Sequence, residues 1–309
     1  MWHCFTRSVA SGYNRRIMLK AKVTIVGLGL MGGSLALALR LAQRVALKPY
    51  ATHLTIVETH PATRQAAARL ADVVTADFAA GVAEAELVIL ATPVRSIVAL
   101  LAELARVRPE GCMVLDLGST KADICRAMAN LPEGFQALGG HPMCGKETAG
   151  FGAATPDLYR DKTFVLCRNG RTTTAVETLA LELLAIVGAR PLFLPPEVHD
   201  EIVAGVSHLP YVVAGTLMRT AFGLGDEQAW TVSASGFRDT SRVAGTDPQM
   251  MLDILLTNRP AVLAQLQRFQ AEVTAVTDLL QSGDEAALAA WLTETQREYR
   301  EYRTRNEER

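Results

Sequence analysis

The stretch from Val23 to Leu39, "VTIVGLGLMGGSLALAL", decides how the chain is read. Four β-branched residues run into Gly27, Gly29 and Gly32, and an alanine- and leucine-rich run follows. This is GxGxxG spacing between a strand and a helix, and each glycine has its own reason. Gly27 permits the tight turn, Gly29 lets backbone approach a pyrophosphate, and Gly32 lets the helix pack close to the strand. Leu30 and Met31 fill the intervening positions, where free N–H groups and the positive end of the helix dipole meet the phosphates. Gly27, Gly29, Leu30, Met31 and Gly32 are therefore the expected cofactor-binding loop. A tight turn that binds nothing is the plainer alternative, and the strand–turn–helix context weighs against it.

Outward from this loop, the apolar runs "HLTIVE", "LVILAT", "MVLDLG", "FQALGG", "TFVLC" and "RPLFL" alternate with helix-like stretches such as "PATRQAAARLA" and "TTAVETLALELLAIVG". Such alternation predicts an α/β domain with a mostly parallel sheet. Near-continuous apolar strands predict helices on both of its faces. The pattern changes at "LPPEVHDE", where two prolines suit the entry to a helix. Beyond them every long segment reads as helix. The expected organisation is a leader over 1–20, a Rossmann-type dinucleotide-binding domain over 21–195 and an all-α domain over 196–309. Two long apolar helices in the last part are hard to bury in one protomer, which predicts a homodimer through that half.

Composition narrows the classes. The 309 residues are 49% hydrophobic, and 31 basic residues face 32 acidic ones. No basic excess points to nucleic acid. The five cysteines are scattered and form no CxxC pair, so neither a disulfide framework nor a metal site is expected, and a reducing, cytoplasmic setting fits. No apolar run reads as the ~20 residues of a membrane span. The segment "MWHCFTRSVASGYNRRIMLK" is basic and lacks acids. It reads as a transit peptide, as a disordered leader, or as translation assigned from too early a start, with Met18 then the real one. After the last charged helix no further regulatory domain is expected.

Glu58 closes the second strand in "HLTIVETH", where a carboxylate would meet the ribose hydroxyls and repel a 2′-phosphate. NAD is therefore expected, with NADP open, because Glu58 could be a solvated strand end and Arg64 could serve a phosphate. Thr92 and Pro93 in "ILATPVRSI" either line the nicotinamide side or simply start a helix.

Two loops carry the candidate chemistry. His141 follows a strand in "LGGHPMCG", with glycines either side that allow close approach of a ligand. His208 sits in the apolar run "AGVSHLPYVV", either as a satisfied core histidine or at a pocket opened by Pro210. His199 reads as an ordinary polar residue at a helix start, and Cys144 as a packing residue. Arg238 and Arg242 are four apart in "SGFRDTSRVAGTDP", on one face if helical. Two guanidiniums there suit a substrate with two carboxylates, with Asp239 holding one in place, or else they are a surface pair. Asp247 before Pro248 reads as a helix N-cap.

Taken together, "VGLGLMGGSLA", "DLGSTK", "GGHPMCG", "VSHLPYVV" and "SGFRDTSRVAGTDP" resemble the prephenate and arogenate dehydrogenase family of tyrosine biosynthesis, in family order over nearly the whole chain. The resemblance implies an NAD(P)-binding Rossmann-type domain followed by a helical dimerisation domain. It implies an oxidative decarboxylation in which a cyclohexadienol loses hydride from C4 and carbon dioxide from C1. It implies that His141 is the base for the C4 hydroxyl and that Ser119 orients it. Arg242 is then the carboxylate-binding arginine, with Arg238 a second basic position and His208 a supporting group at the pocket. Lys121 is expected at most to cap a helix. Tyr211 stands where some prephenate-using members resemble one another in having a second histidine, and Glu147 could face an ammonium. Both leave prephenate against arogenate open. Two rival readings share the glycine loop: another Rossmann oxidoreductase of the β-hydroxyacid or imine type, and a silent NAD(P)-sensing protein.

Overall fold

The computed structural model describes residues 21–45, 53–146 and 148–307. Strand and helix alternate through the first part. β1 (Val23–Val26) leads to α1 (Leu30–Val45), β2 (Leu54–Val57) to α2 (Pro61–Ala66), β3 (Val73–Thr75) to α3 (Phe78–Val82) and β4 (Leu87–Leu90) to α4 (Val94–Val107). β5 (Met113–Asp116), α5 (Ala122–Ala129), β6 (Gln136–Pro142), β7 (Thr163–Cys167), α6 (Thr174–Val187) and β8 (Arg190–Phe193) follow.

The eight strands form one sheet in the order β3-β2-β1-β4-β5-β6-β7-β8. The first six are parallel, and β7 and β8, parallel to each other, run against β6. The chain leaves β1 in one direction to build β2 and β3, then returns to lay β4 on its other side. That reversal opens a crevice at the carboxyl ends of β1 and β4, where such sheets bind ligands.

Successive strand residues bury into opposite faces. Ile25, Ile56 and Ile89 join a cluster with Leu35 and Leu39 of α1 and Leu183 and Leu184 of α6. Val26, Val57 and Leu90 join another with Ile97 and Leu101 of α4 and Ile124 and Met128 of α5. Each strand is thus apolar along its length because both faces are covered, as its sequence predicted.

After β8 the described residues hold no strand. α7 (Pro196–Val203) passes through a π-helical turn over Ala204–His208 into α8 (Leu209–Phe222). The wide turn directly precedes Pro210, which has no N–H to give to an α-helical ladder. The unbroken helix from Pro196 to Phe222 is long and apolar enough, by length and composition, to cross a membrane, which corrects the expectation that no run approaches that length. Its Asp200, His199 and His208 are instead buried against polar partners described below.

Short helices α9 (Gln228–Val232), α10 (Ser235–Ser241) and α11 (Pro248–Thr257) follow, with a 3₁₀ turn over Arg242–Gly245 between the last two. The long α12 (Arg259–Ser282) and α13 (Glu285–Glu307) complete the chain. By its contacts the chain forms two compact units, one ending at Arg259 and one beginning at Pro260. The expected boundary between 195 and 196 falls inside the first unit. The expected leader lies outside the described residues.

Candidate active site

The glycine loop sits at the carboxyl end of β1. Gly27 has φ +92°, a conformation that side chains resist, and a Cβ there would also meet Thr92 Cγ2 at 2.7 Å. A Cβ on Gly32 would lie 2.1 Å from the Gly27 carbonyl oxygen, so only glycine lets α1 come this close. Nothing lies within 4 Å of a Cβ position at Gly29, which leaves that face of the loop open to a ligand. The first turn of α1 carries no acid to compete for its free N–H groups. Thr92 Oγ1 is buried and has no partner among the described residues, an orphan that a bound polar group would satisfy. The residues present therefore fit a dinucleotide.

Glu58 is pinned at the end of β2. Its Oε2 accepts from the Leu28 N–H at 2.8 Å and its Oε1 from the His60 N–H at 2.8 Å. Arg64 is committed to main chain, donating from Nη1 to the Glu58 and Thr59 carbonyl oxygens at 2.9 and 2.5 Å.

A buried polar network underlies the loops that bear Ser119 and His141. Asp116, at the end of β5, accepts from the Gly118 N–H at 2.7 Å and the Gly140 N–H at 2.9 Å. It also pairs with Lys121, both side chains fully buried, while Lys121 Nζ donates to the Gly140 carbonyl at 2.7 Å. One ion pair therefore ties the loop bearing Ser119 to the strand bearing His141. Lys121 sits at the N-cap of α5, but its side chain does not cap it, a correction to the sequence expectation. The cap comes from another helix: Asp200 of α7 accepts the Lys121 and Ala122 N–H groups at 2.7 and 2.9 Å. A carboxylate at a helix N-terminus is well placed.

Asp200 also holds His199, whose Nδ1 is 2.7 Å from its Oδ1. The Nε2 of His199 is 2.8 Å from Nδ1 of His141, with the rings edge-on at 74°. The tautomers follow for a pair of neutral rings. Asp200 acts as an acceptor, so a neutral His199 donates from Nδ1 and keeps a lone pair on Nε2. His141 must then donate from Nδ1, and its Nε2 carries the free lone pair. Burial, and then the nearness of His199, Lys121 and His208, holds the His141 pKa well below the usual imidazole value. His141 is a neutral imidazole.

The network borders a cavity of about 500 Å³, within the usual size of small-molecule sites. Gly29, Leu30, Met31, Thr92, Pro93, Ser119, His141, His208 and Tyr211 all line it. Gly27, Gly32 and Glu58 are not among its lining residues. Arg242 borders an adjoining cavity, and the two cavities share Gly145, Lys146, Thr148, Val243 and Thr246. Arg238 is not brought to either. Its side chain is 75% exposed and pairs with Asp239 at 3.3 Å. Of the two arginines only Arg242 borders a cavity; α10 ends at Ser241 and a 3₁₀ turn begins at Arg242. Glu147 lies outside the described residues. Asp247 caps α11 through the Met250 N–H at 2.8 Å, as expected. Burial pushes the Cys144 thiol up to about 11, so it is no nucleophile at neutral pH.

Sequence reasoning missed His199, Asp200, Asp116 and Asn258. Adjacent His and Asp at the start of an apolar helix, "VHDEIVAGV", was the available signal.

A family model described as prephenate dehydrogenase, nucleotide-binding domain, matches residues 42–192. One described as prephenate dehydrogenase, dimerization domain, matches residues 195–294. The chain is 32% identical to a prephenate dehydrogenase of Bacillus subtilis (strain 168), over 92% of this chain and 76% of that protein. Among solved structures it resembles prephenate dehydrogenase from Aquifex aeolicus in complex with hydroxyphenyl propionate and NAD+, with TM-score 0.82, 28% identity, and coverage of 91% of this chain and 98% of that one. It likewise resembles Synechocystis arogenate dehydrogenase, with TM-score 0.76, 29% identity, and coverage of 91% and 99%.

Proposed function

The chain belongs to the prephenate dehydrogenase family, and from that premise we propose that its pocket oxidises and decarboxylates prephenate to 4-hydroxyphenylpyruvate, or arogenate to tyrosine. The observation that carries the reading is the neutral His141, held through His199 by Asp200, in the wall of a cavity that the glycine loop also borders.

His141 Nε2 takes the proton of the C4 hydroxyl. A bound nicotinamide supplies the acceptor for the hydride leaving C4. Loss of carbon dioxide from C1 returns its bonding pair to the ring, which becomes a phenolate. The proton held by His141 goes back to that oxygen, so hydride and carbon dioxide are the net losses from the substrate. While protonated, His141 still donates to His199, and the chain ending at Asp200 spreads the charge. Ser119, on the loop pinned by Asp116 and Lys121, orients the hydroxyl. Arg242 grips a substrate carboxylate at the mouth, and His208 and Tyr211 line the ring.

Glu58 favours NAD over NADP, because both of its oxygens are locked to main-chain N–H groups and its charge cannot swing away from a 2′-phosphate. Residues 21–195 hold the dinucleotide, and 196–309 form the dimerisation and substrate domain. The exposed apolar side chains Leu263, Leu280 and Leu292 on α12 and α13 support a dimer surface there. The setting is cytoplasmic.

The test is a matrix of prephenate and arogenate against NAD and NADP, read by absorbance of the reduced nicotinamide. Reduction with at least one substrate supports the reading, and the better cofactor is expected to be NAD. Inertness of both substrates with both cofactors would overturn it.

A further inference from the structure

We propose that Asn258 is a positioning residue that locks His208 as one neutral tautomer, making its Nε2–H a fixed donor to a hydrogen-free oxygen of the substrate, a carboxylate or a carbonyl. Asn258 follows the end of α11 and is 4% exposed. Its Nδ2 donates to the Asp200 main-chain oxygen at 2.7 Å and lies 3.1 Å from His208 Nδ1. A main-chain carbonyl only accepts, so the amide must present its NH₂ end on this side. The second amide hydrogen then points at His208 Nδ1, which must accept. A neutral imidazole that accepts at Nδ1 carries its proton on Nε2. The ring borders the cavity, and Nε2 has no protein partner among the described residues.

The two pocket imidazoles are therefore of opposite polarity. His141 is held by a lone pair on His199 and offers an acceptor. His208 is held by an N–H and offers a donor. The substrate hydroxyl suits the first, and an oxygen without hydrogen suits the second. A ligand turned end for end would meet lone pair with lone pair. The groups facing His208 are Asp200 and His199 on α7, His141 on β6 and Asn258 itself. Burial brings the His208 pKa down to about 4, with Asp200 opposing and His199 adding, so the ring stays neutral at working pH. The assignment of the donor to a substrate oxygen rests on the dehydrogenase reading. The tautomer does not.

The experiment therefore has two readouts. Nitrogen-15 correlation spectra of the histidine rings in the unsubstituted protein at neutral pH give each tautomer, with His208→Gln used only to assign its signal. The expected result is Nε2–H for His208 and Nδ1–H for His141. A proton on Nδ1 of His208, or a charged ring, would overturn the proposal whatever the enzyme assays show. The second readout is Asn258→Asp, whose carboxylate accepts from Nδ1–H, moves the lone pair to Nε2 and favours the charged ring. Substrate KM is expected to rise about tenfold or more near pH 8, the effect of facing an acceptor with an acceptor. It should recover towards pH of about 6 as the charged ring regains Nε2–H. The KM for the dinucleotide should not move. Equal rises in both KM values with no recovery at low pH would mark Asn258 as structural only. Failure to fold would leave the spectra to decide.

Discussion

The Nδ1 of His141 lies 2.8 Å from Nε2 of His199, and that contact decides which nitrogen of His141 is free to take a proton. Removing His199 lets the ring turn over and populate the wrong tautomer. His199→Ala should lower kcat by about 10²-fold, at the low end of what a positioned base contributes, with the dinucleotide Kd unchanged. Steady-state rates and a fluorescence titration of the reduced cofactor check this. A drop in cofactor affinity matching the drop in kcat would point to damage of the fold.

Lys121 and Asp116 are fully buried partners, and removing one leaves an uncompensated charge. Lys121→Met should lower stability by about 3–5 kcal/mol, since a broken buried pair costs more than an intact one contributes. Urea unfolding measures it. A loss under 1 kcal/mol, the roughly surface-pair magnitude, would contradict the placement.

His141 and His208 both have folded-state pKa values below the usual 6.5. Between the lowered value and 6.5 the unfolded chain binds protons that the folded one refuses. Their contribution to stability is complete above 6.5 and is lost as pH falls below it, for His208 towards 4 and for His141 towards its own depressed value. The slope is about 1.4 kcal/mol per pH unit for each ring. His208→Gln should flatten the fall between these limits, read from urea midpoints across the range. An unchanged slope would mean that His208 is protonated in the folded protein.

Arg242 borders the outer cavity beside Lys146, away from the glycine loop. Arg242→Ala should raise substrate KM by about 10–100-fold, the worth of a charge-assisted hydrogen bond, and leave the KM for the dinucleotide near its starting value. Arg238→Ala, on an exposed and solvent-screened side chain, should change neither by more than about twofold. Equal losses in the two variants would restore the paired-arginine reading.

The fold was legible because its signals are local. The run from Val23 to Leu39 carries strand, turn and helix within 17 residues, and both-faced burial marks every long strand. His141, Ser119, His208 and Arg242 were reached through motif resemblance. The rest was hidden because it is long-range. Asp200 caps a helix 78 residues earlier in the chain, and Asn258 is 50 residues from the imidazole it bonds. Nothing in the spacing of "HDE" announces either partner, and a polar pair at a helix start is ordinary. Four-residue spacing put Arg238 and Arg242 together, but spacing does not say which of them borders a cavity, and in the structure that is Arg242.

The central claim is that neutral His141 is the base, and its pH–rate profile tests it most directly. With the preferred substrate and cofactor, kcat/KM should stay level from neutrality down past 6.5 and fall only below the depressed His141 pKa. His141→Asn should run about 10²–10⁴-fold lower and lose that acid limb. An acid limb near 6.5 in the native enzyme, or the same limb and turnover in His141→Asn, would contradict the account.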